Sequence, residues 1–191
     1  MDQLLACATS FSKLLDIEYH CIIGRKNNKK EFILAFSSYD FHHLAGLKKL
    51  SDVQVVQRNR ERVFKDILSC HISLETLSKS TAFPLIEKRL WCLKNLEEFM
   101  DSNTIIFSYD TRKNPYSNVE GSFLLQNDID GDTAYFFLDE GNGSYFGRSF
   151  FIKDERDYTI GQSKWTLLYK EKTNKRTQER IVQYDRLTPT S

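Results

Sequence analysis

The chain has 191 residues, 40% of them hydrophobic, with fourteen Phe, nine Tyr and a formal net charge of +1. That is ample for a packed core, and only three Pro and eight Gly argue against disorder or a low-complexity repeat. No apolar run approaches the roughly 18 residues needed to cross a bilayer, and MDQLLACATSFSKLL has no basic stretch before its apolar residues, unlike a secretory signal.

In chain order, Leu4, Leu5, Ala8, Phe11, Leu14 and Leu15 recur at helical spacing behind Asp2, predicting a helix over 2–15 with Asp2 as N-cap. Ile17, Tyr19, Cys21 and Ile23 then alternate. GRKNNKK makes a polar turn and EFILAF resumes as a strand, so 17–36 is a hairpin with a basic tip. FHHLAGL follows as a short helical turn started by Asp40. RNRERVFKDILSCHI places Val63, Phe64, Ile67, Leu68 and Ile72 on one helical face, predicting a helix over 58–72. Pro84 opens a helix over 84–100 that presents Ile86, Leu90, Leu93, Leu96 and Met100. From Thr104 to 185 the chain reads as strands (TIIFSYD, GSFLLQN, TAYFFLD, SYFGRSFFI, KWTLLYKEK, ERIVQYD) with DIDGD and EGNG as hairpin turns. Helices followed by a strand meander predict an α+β fold, with an antiparallel sheet drawn mainly from the C-terminal half and packed against N-terminal helices. One domain over 1–188 is expected, with 189–191 as a frayed tail.

Charge is uneven. Residues 20–65 carry ten Lys/Arg against four Asp/Glu, residues 96–160 five against thirteen, and residues 161–191 seven against three. A chain basic at both ends can build a face that attracts polyanions, and solvated loops would give the same counts. Cys7, Cys21, Cys70 and Cys92 are mutually isolated, without CxxC or zinc spacing, and are expected to be reduced, buried thiols of a cytoplasmic protein.

NDIDGD is not an EF-hand loop: Gly131 comes fourth from Asp128 rather than sixth, and strand residues follow at once. Phosphate-binding glycine loops, HExxH and GxSxG are missing from the sequence. His20 and His71 lie in apolar patterns and are expected to be core or half-buried; Trp91 and Trp165 are expected in the core. FHHLAGL poses a sharper question. Consecutive helical residues point about 100° apart, so His42 and His43 cannot both face the core. One imidazole can therefore exchange protons near neutral pH beside Lys48 and Lys49, or the turn is only a packed corner.

The order of a hairpin, F-H-H-L-A-G-L, two helices and a strand meander resembles a phage- and mobile-element-associated group, the fourth phage-type group, of the Barnase–EndoU–colicin–RelE nuclease superfamily. The matching residues are HLAGL at 43–47 and GRSFFIKDERDYTIGQSKWTLLYKEK at 147–172. The resemblance implies a ribonuclease that needs no metal or cofactor and cleaves RNA by general acid/base proton transfer, with tRNA or ribosomal RNA as substrate and an immunity or regulatory protein as a second partner. It implies His43 as first candidate for proton transfer, with His42 the alternative if the turn is rotated. Arg148, Ser149 and Lys164 are the candidates for phosphate contact and charge stabilisation. A toxin or host-takeover effector is the role such a protein would play. The rival reading is a non-catalytic interaction protein of the same fold that holds a protein or nucleic acid through its charged faces. A third is an unrelated α+β protein whose HHL turn only packs.

Overall fold

The computed structural model describes residues 2–141 and 143–188; the expected fray at 189–191 lies outside the described residues. Helix α1 spans Gln3–Leu14. Asp2 caps it as expected, accepting from the backbone N–H groups of Leu4 and Leu5 at 2.8 and 3.1 Å. The second oxygen of the same carboxylate accepts from Leu74 N at 2.8 Å, so Asp2 also ties down the start of α4 (Leu74–Ser78), a helix without an expectation in the sequence.

Strands β1 (Ile17–Arg25) and β2 (Asn28–Ala35) form the expected hairpin and lead into α2 (Ser38–Leu44). The N-cap of α2 is Ser37 rather than Asp40. Asp40 sits one turn inside, and its carboxylate accepts from Ser37 N at 2.7 Å and Ser37 Oγ at 3.0 Å. Helix α3 covers Arg60–Leu68, shorter than the expected 58–72. Cys70 adopts φ 62°, the left-handed conformation that ends helices, and the N–H groups of His71 and Ile72 turn back to the Asp66 carbonyl. Cys70 and His71 are consequently exposed, contrary to their apolar sequence surroundings, while Cys7, Cys21 and Cys92 are buried free thiols. The expected helix over 84–100 is two helices, α5 (Pro84–Lys94) and α6 (Leu96–Asp101), broken at Asn95, whose side-chain amide donates to the Trp91 carbonyl at 3.1 Å.

The remaining strands are β3 (Ile105–Ser108), β4 (Phe123–Ile129), β5 (Asp132–Gly141), β6 (Ser144–Ile152), β7 (Ser163–Asn174) and β8 (Arg180–Asp185). The α+β class and the strand-rich C-terminal half are as expected, but the sheet is not open. Its order is β1-β2-β6-β5-β4-β3-β7, and β7 returns to pair with β1, closing a seven-stranded barrel; β8 adds to the outside of β7. Alternation along a strand says which face is buried, not which strand is next door, so closure was not legible. The length of β7 makes closure possible: its first residues pair with β3 and its remainder with β1. The seam between β2 and β6 is a single parallel bridge, Leu34 to Tyr145; the other pairings are antiparallel.

Phe32, Phe123, Phe136, Phe150 and Trp165 on the inner face join Phe11 of α1 and Phe99 of α6 in one continuous core. The opposite face of β4–β6 is also covered. Leu124, Tyr135, Phe137 and Phe151 pack with Tyr109 and Tyr158 from the flanking loops in a second aromatic cluster. Burial on both faces explains why FLL and AYFFL run continuously apolar instead of alternating.

Lys170 of β7 is 1% exposed. Its ammonium donates to the carbonyls of Met100 (2.7 Å) and Ser102 (2.6 Å) at the end of α6, where the orphan carbonyls favour a cation. Replacing Lys170 with Met removes both donors and leaves those carbonyls unpaired; a loss of about 2 kcal/mol is expected in urea unfolding, with the strand content in circular dichroism retained.

Candidate active site

Helix α2 reaches its position through aromatic packing and one missing side chain. Phe41 stacks at a tilt on Phe64, ring centroids 4.9 Å apart, and meets the edge of Phe11 at 5.5 Å. Gly147 of β6 lies under the helix: a Cβ there would stand 2.7 Å from the Phe136 ring and 3.2 Å from Leu44 Cδ1. Gly46, at φ 74°, ends the helix and turns the chain toward Lys48.

The two histidines of this helix have different surroundings. His42 is 5% exposed, and its Nε2 donates to the Val56 carbonyl at 2.7 Å while Nδ1 has no partner. Burial, assisted by the Arg60 charge and opposed by the Val56 carbonyl, holds its pKa below the ordinary histidine value. A buried neutral ring fixed to the backbone is a packing residue. His43 is half-buried and lines an open cleft of about 320 Å³ together with Tyr39, Asp40, Lys48, Arg60, Phe146 and Arg148, at the lower end of ligand-pocket volumes. Its pKa is also lowered, chiefly by burial; the backbone of Arg148 opposes this, and the guanidinium charges of Arg148, Arg60 and Arg89 add to it. At neutral pH the ring is therefore unprotonated and can accept a proton.

Arg148 reaches the cleft through a β-bulge. Phe137 pairs with Ser149 and Leu138 with Gly147, so Arg148 has no counterpart on β5 and its side chain is re-aimed. Its guanidinium forms an ion pair with Glu120 and stands 3.8 Å from an Asp139 carboxylate oxygen. Ser149 is adjacent in sequence but pairs across from Phe137 on the side of the second aromatic cluster and does not line the cleft. Lys164 is separated from it altogether. It lies on β7, which is divided from β6 by β1 and β2 on one side of the barrel and by β3, β4 and β5 on the other, and it borders a different hollow with Trp165 and Tyr184. The late sequence segment thus splits between two sides of the barrel because β6 and β7, consecutive in the chain, are not neighbours.

Four side chains of the cleft lacked a site expectation in the sequence: Tyr39, Asp40, Arg60 and Phe146. Burial raises the Asp40 pKa, with the Ser37 hydrogen bonds and the Arg60 charge opposing. Arg60 belongs to RNRER, where the basic local composition was the available signal. The other two histidines take lesser roles: His20 is half-buried and meets Glu31 at 2.7 Å, and His71 bonds to Ser69 Oγ at 2.8 Å. Among the described residues, no group of three His, Cys, Asp or Glu side chains has the arrangement of a metal site.

A family model described as phage-Barnase-EndoU-ColicinE5/D-RelE like nuclease4 matches residues 3–187. The chain belongs to this family. The resemblance carried by HLAGL and the late segment is thereby confirmed, and the chain is a nuclease-like protein of the Barnase–EndoU–colicin–RelE type. No curated protein and no solved structure matches it. In this nuclease-like protein, none of the described helices is long and apolar enough to cross a membrane.

The two histidines separate by experiment. Both have folded-state pKa values below those of the unfolded chain, about 6.5. Their stabilisation is therefore complete above pH 6.5 or so and is lost as pH falls, because the unfolded state then binds more protons. Replacing His42 with Ala should cost about 3 kcal/mol, from the cavity and the unpaired Val56 carbonyl. It should also flatten the decline in the urea midpoint between roughly pH 6.5 and 5. Replacing His43 with Ala should cost less than half as much.

Proposed function

We propose that this protein is a ribonuclease that acts without a metal ion, its cleft cleaving one RNA phosphodiester by proton transfer. The observation carrying this reading is a half-buried histidine, His43, held unprotonated within an open cleft that also contains Arg148, Arg60 and Lys48. That is the combination RNA cleavage needs: a base of suitable pKa next to cations for a phosphate. Membership of the nuclease-like family supports the substrate class.

In the proposed reaction the His43 imidazole takes the proton from a ribose 2′-hydroxyl, and the 2′-oxygen attacks the adjacent phosphorus. Arg148, Arg60 and Lys48 offset the extra negative charge of the phosphorane. The phosphorus–O5′ bond breaks, and the leaving oxygen takes a proton from the Tyr39 hydroxyl in the same cleft. His43 releases its proton and Tyr39 regains one through solvent, leaving a 2′,3′-cyclic phosphate and a 5′-hydroxyl end. Before substrate binds, Glu120 and Asp139 occupy the Arg148 guanidinium. A phosphate oxygen has to exchange with Glu120, whose side chain is largely exposed and so leaves at little desolvation cost.

Replacing His43 with Ala should lower RNA cleavage by about 10² or more, while His20→Ala leaves it unchanged; full activity in His43→Ala would refute the assignment. RNA carrying a 2′-deoxyribose at the scissile position should resist cleavage.

The acid limb of kcat/KM, which reports the free enzyme, should have its midpoint below about pH 6.5. The limb of kcat should lie higher, because a bound phosphate favours the imidazolium. Chelator should leave the rate unchanged; loss of activity on chelation and its return with added divalent ion would rule out the metal-independent mechanism.

A further inference from the structure

The hairpin joining β1 to β2 turns through only Lys26 and Asn27, between the paired residues Arg25 and Asn28. Lys26 holds φ 53°, a left-handed conformation for which Gly or Asn costs less, and so presents an ammonium at the tip where a cheaper turn residue would carry no charge. Arg25, Lys26 and Lys29 rim a hollow whose floor is formed by Gly24 and Thr166. The floor is bare because a Cβ at Gly24 would meet Leu168 Cδ1 at 2.8 Å. Thr166 also borders the next hollow, with Lys164, Trp165 and Tyr184. Neither lining contains Asp or Glu. The carboxylates of the hairpin strands are engaged elsewhere, Glu31 with His20 and Glu18 with Lys175. Next along β2, the Lys30 ammonium lies over the rings of Phe123 and Trp165, at 5.4 and 5.7 Å from their centroids.

These cations do not belong to the cleft of His43. Their hollows lie along the β1–β7 pairing and share no lining residue with that cleft. They are strung along two connected hollows rather than gathered round one pocket, which suits a linear polyanion. Tyr184 adds an aromatic face with the Arg186 guanidinium 5.7 Å from its centroid, the pairing of ring and cation on which unpaired bases stack.

We propose that this surface is an exosite that holds the sugar-phosphate backbone of a single-stranded stretch of the RNA substrate, distant from the bond being cut. The identity of the strand rests on the ribonuclease reading above. The test measures binding separately from cleavage, by fluorescence anisotropy with a labelled 2′-O-methyl oligonucleotide of about 20 residues, longer than a typical single-strand site. The variant is Arg25→Gln/Lys26→Asn/Lys29→Gln; Asn tolerates the left-handed turn, so its melting temperature should not fall.

The expected result is a Kd raised about tenfold or more, with the slope of log K against log salt reduced by ~2, three contacts at about 0.7 each. Cleavage of a dinucleotide should be unchanged. Unaltered oligonucleotide affinity in the triple variant would overturn the exosite, as would a wild-type protein that does not bind the strand because this face serves an acidic protein instead. If the variant loses affinity but the wild-type protein cuts no RNA, the exosite stands as a nucleic-acid surface and the ribonuclease reading fails. If the wild-type protein cuts the dinucleotide but gains nothing from a longer strand, the ribonuclease reading stands and the exosite fails.

Discussion

The close approach of helix α2 to strand β6 at Gly147 sets the geometry on which the candidate site depends. With no side chain at 147, Leu44 and the Phe136 ring fill the space against the strand, and the helix settles with Phe41 against Phe11 and Phe64. That contact turns His42 into the core and leaves His43 at the mouth of a cleft whose far wall is β6. The bulge that leaves Arg148 unpaired is the next residue along the same strand. A methyl group at 147 would press into an aromatic ring within a core packed at crystal-like density, where displacement is resisted. The site would then lose its helix before it lost any of its own side chains.

Electrostatics in the molecule are organised by pairing rather than by segment. Six of the thirteen acidic residues of 96–160 are ion-paired after folding, Asp110 with Arg112 among them. Glu97 and Asp101 hold Lys172 at 2.8 and 2.7 Å, Asp157 holds Lys153 at 2.9 Å, and Glu120 and Asp139 face Arg148. Asp101 also accepts from the Tyr19 hydroxyl and the Gln183 amide, tying α6 to β1 and β8. At the hairpin tip and on β7, Lys26, Lys29 and Lys164 remain exposed. A near-zero net charge is therefore compatible with local cationic surfaces, since the field a ligand meets depends on which charges have already found partners.

The cleft and the hairpin surface hold two separate groups of positive charge. Arg148, Arg60 and Lys48 stand around a proton-accepting ring, whereas the hairpin cations have no titratable partner in the histidine range within their hollow. Burial makes the difference chemically useful: the half-buried cleft lowers the pKa of His43 and strengthens each charge in it, while an exposed rim gives salt-sensitive attraction and little else.

The sequence by itself determined the place of most helices and strands, though not α4 or the break at Asn95, because 3.6-residue and two-residue periodicities report which side chains are withdrawn from water. Leu4 to Leu14, the alternation from Ile17 to Ile23 and the apolar runs of 123–125 and 134–138 were all legible on that basis. It also determined that His42 and His43 must diverge. Tertiary structure alone decided which of them faces in, since that depends on Phe41 and Leu44 finding Phe64 and the bare backbone of Gly147 from distant parts of the chain. It likewise decided barrel closure, the separation of Lys164 from Arg148, and the arrival of Arg60 and Tyr39 beside His43. Local periodicity carries no information about which strands become neighbours; that choice is made by long-range packing and by the register in which a curled sheet meets its own first strand.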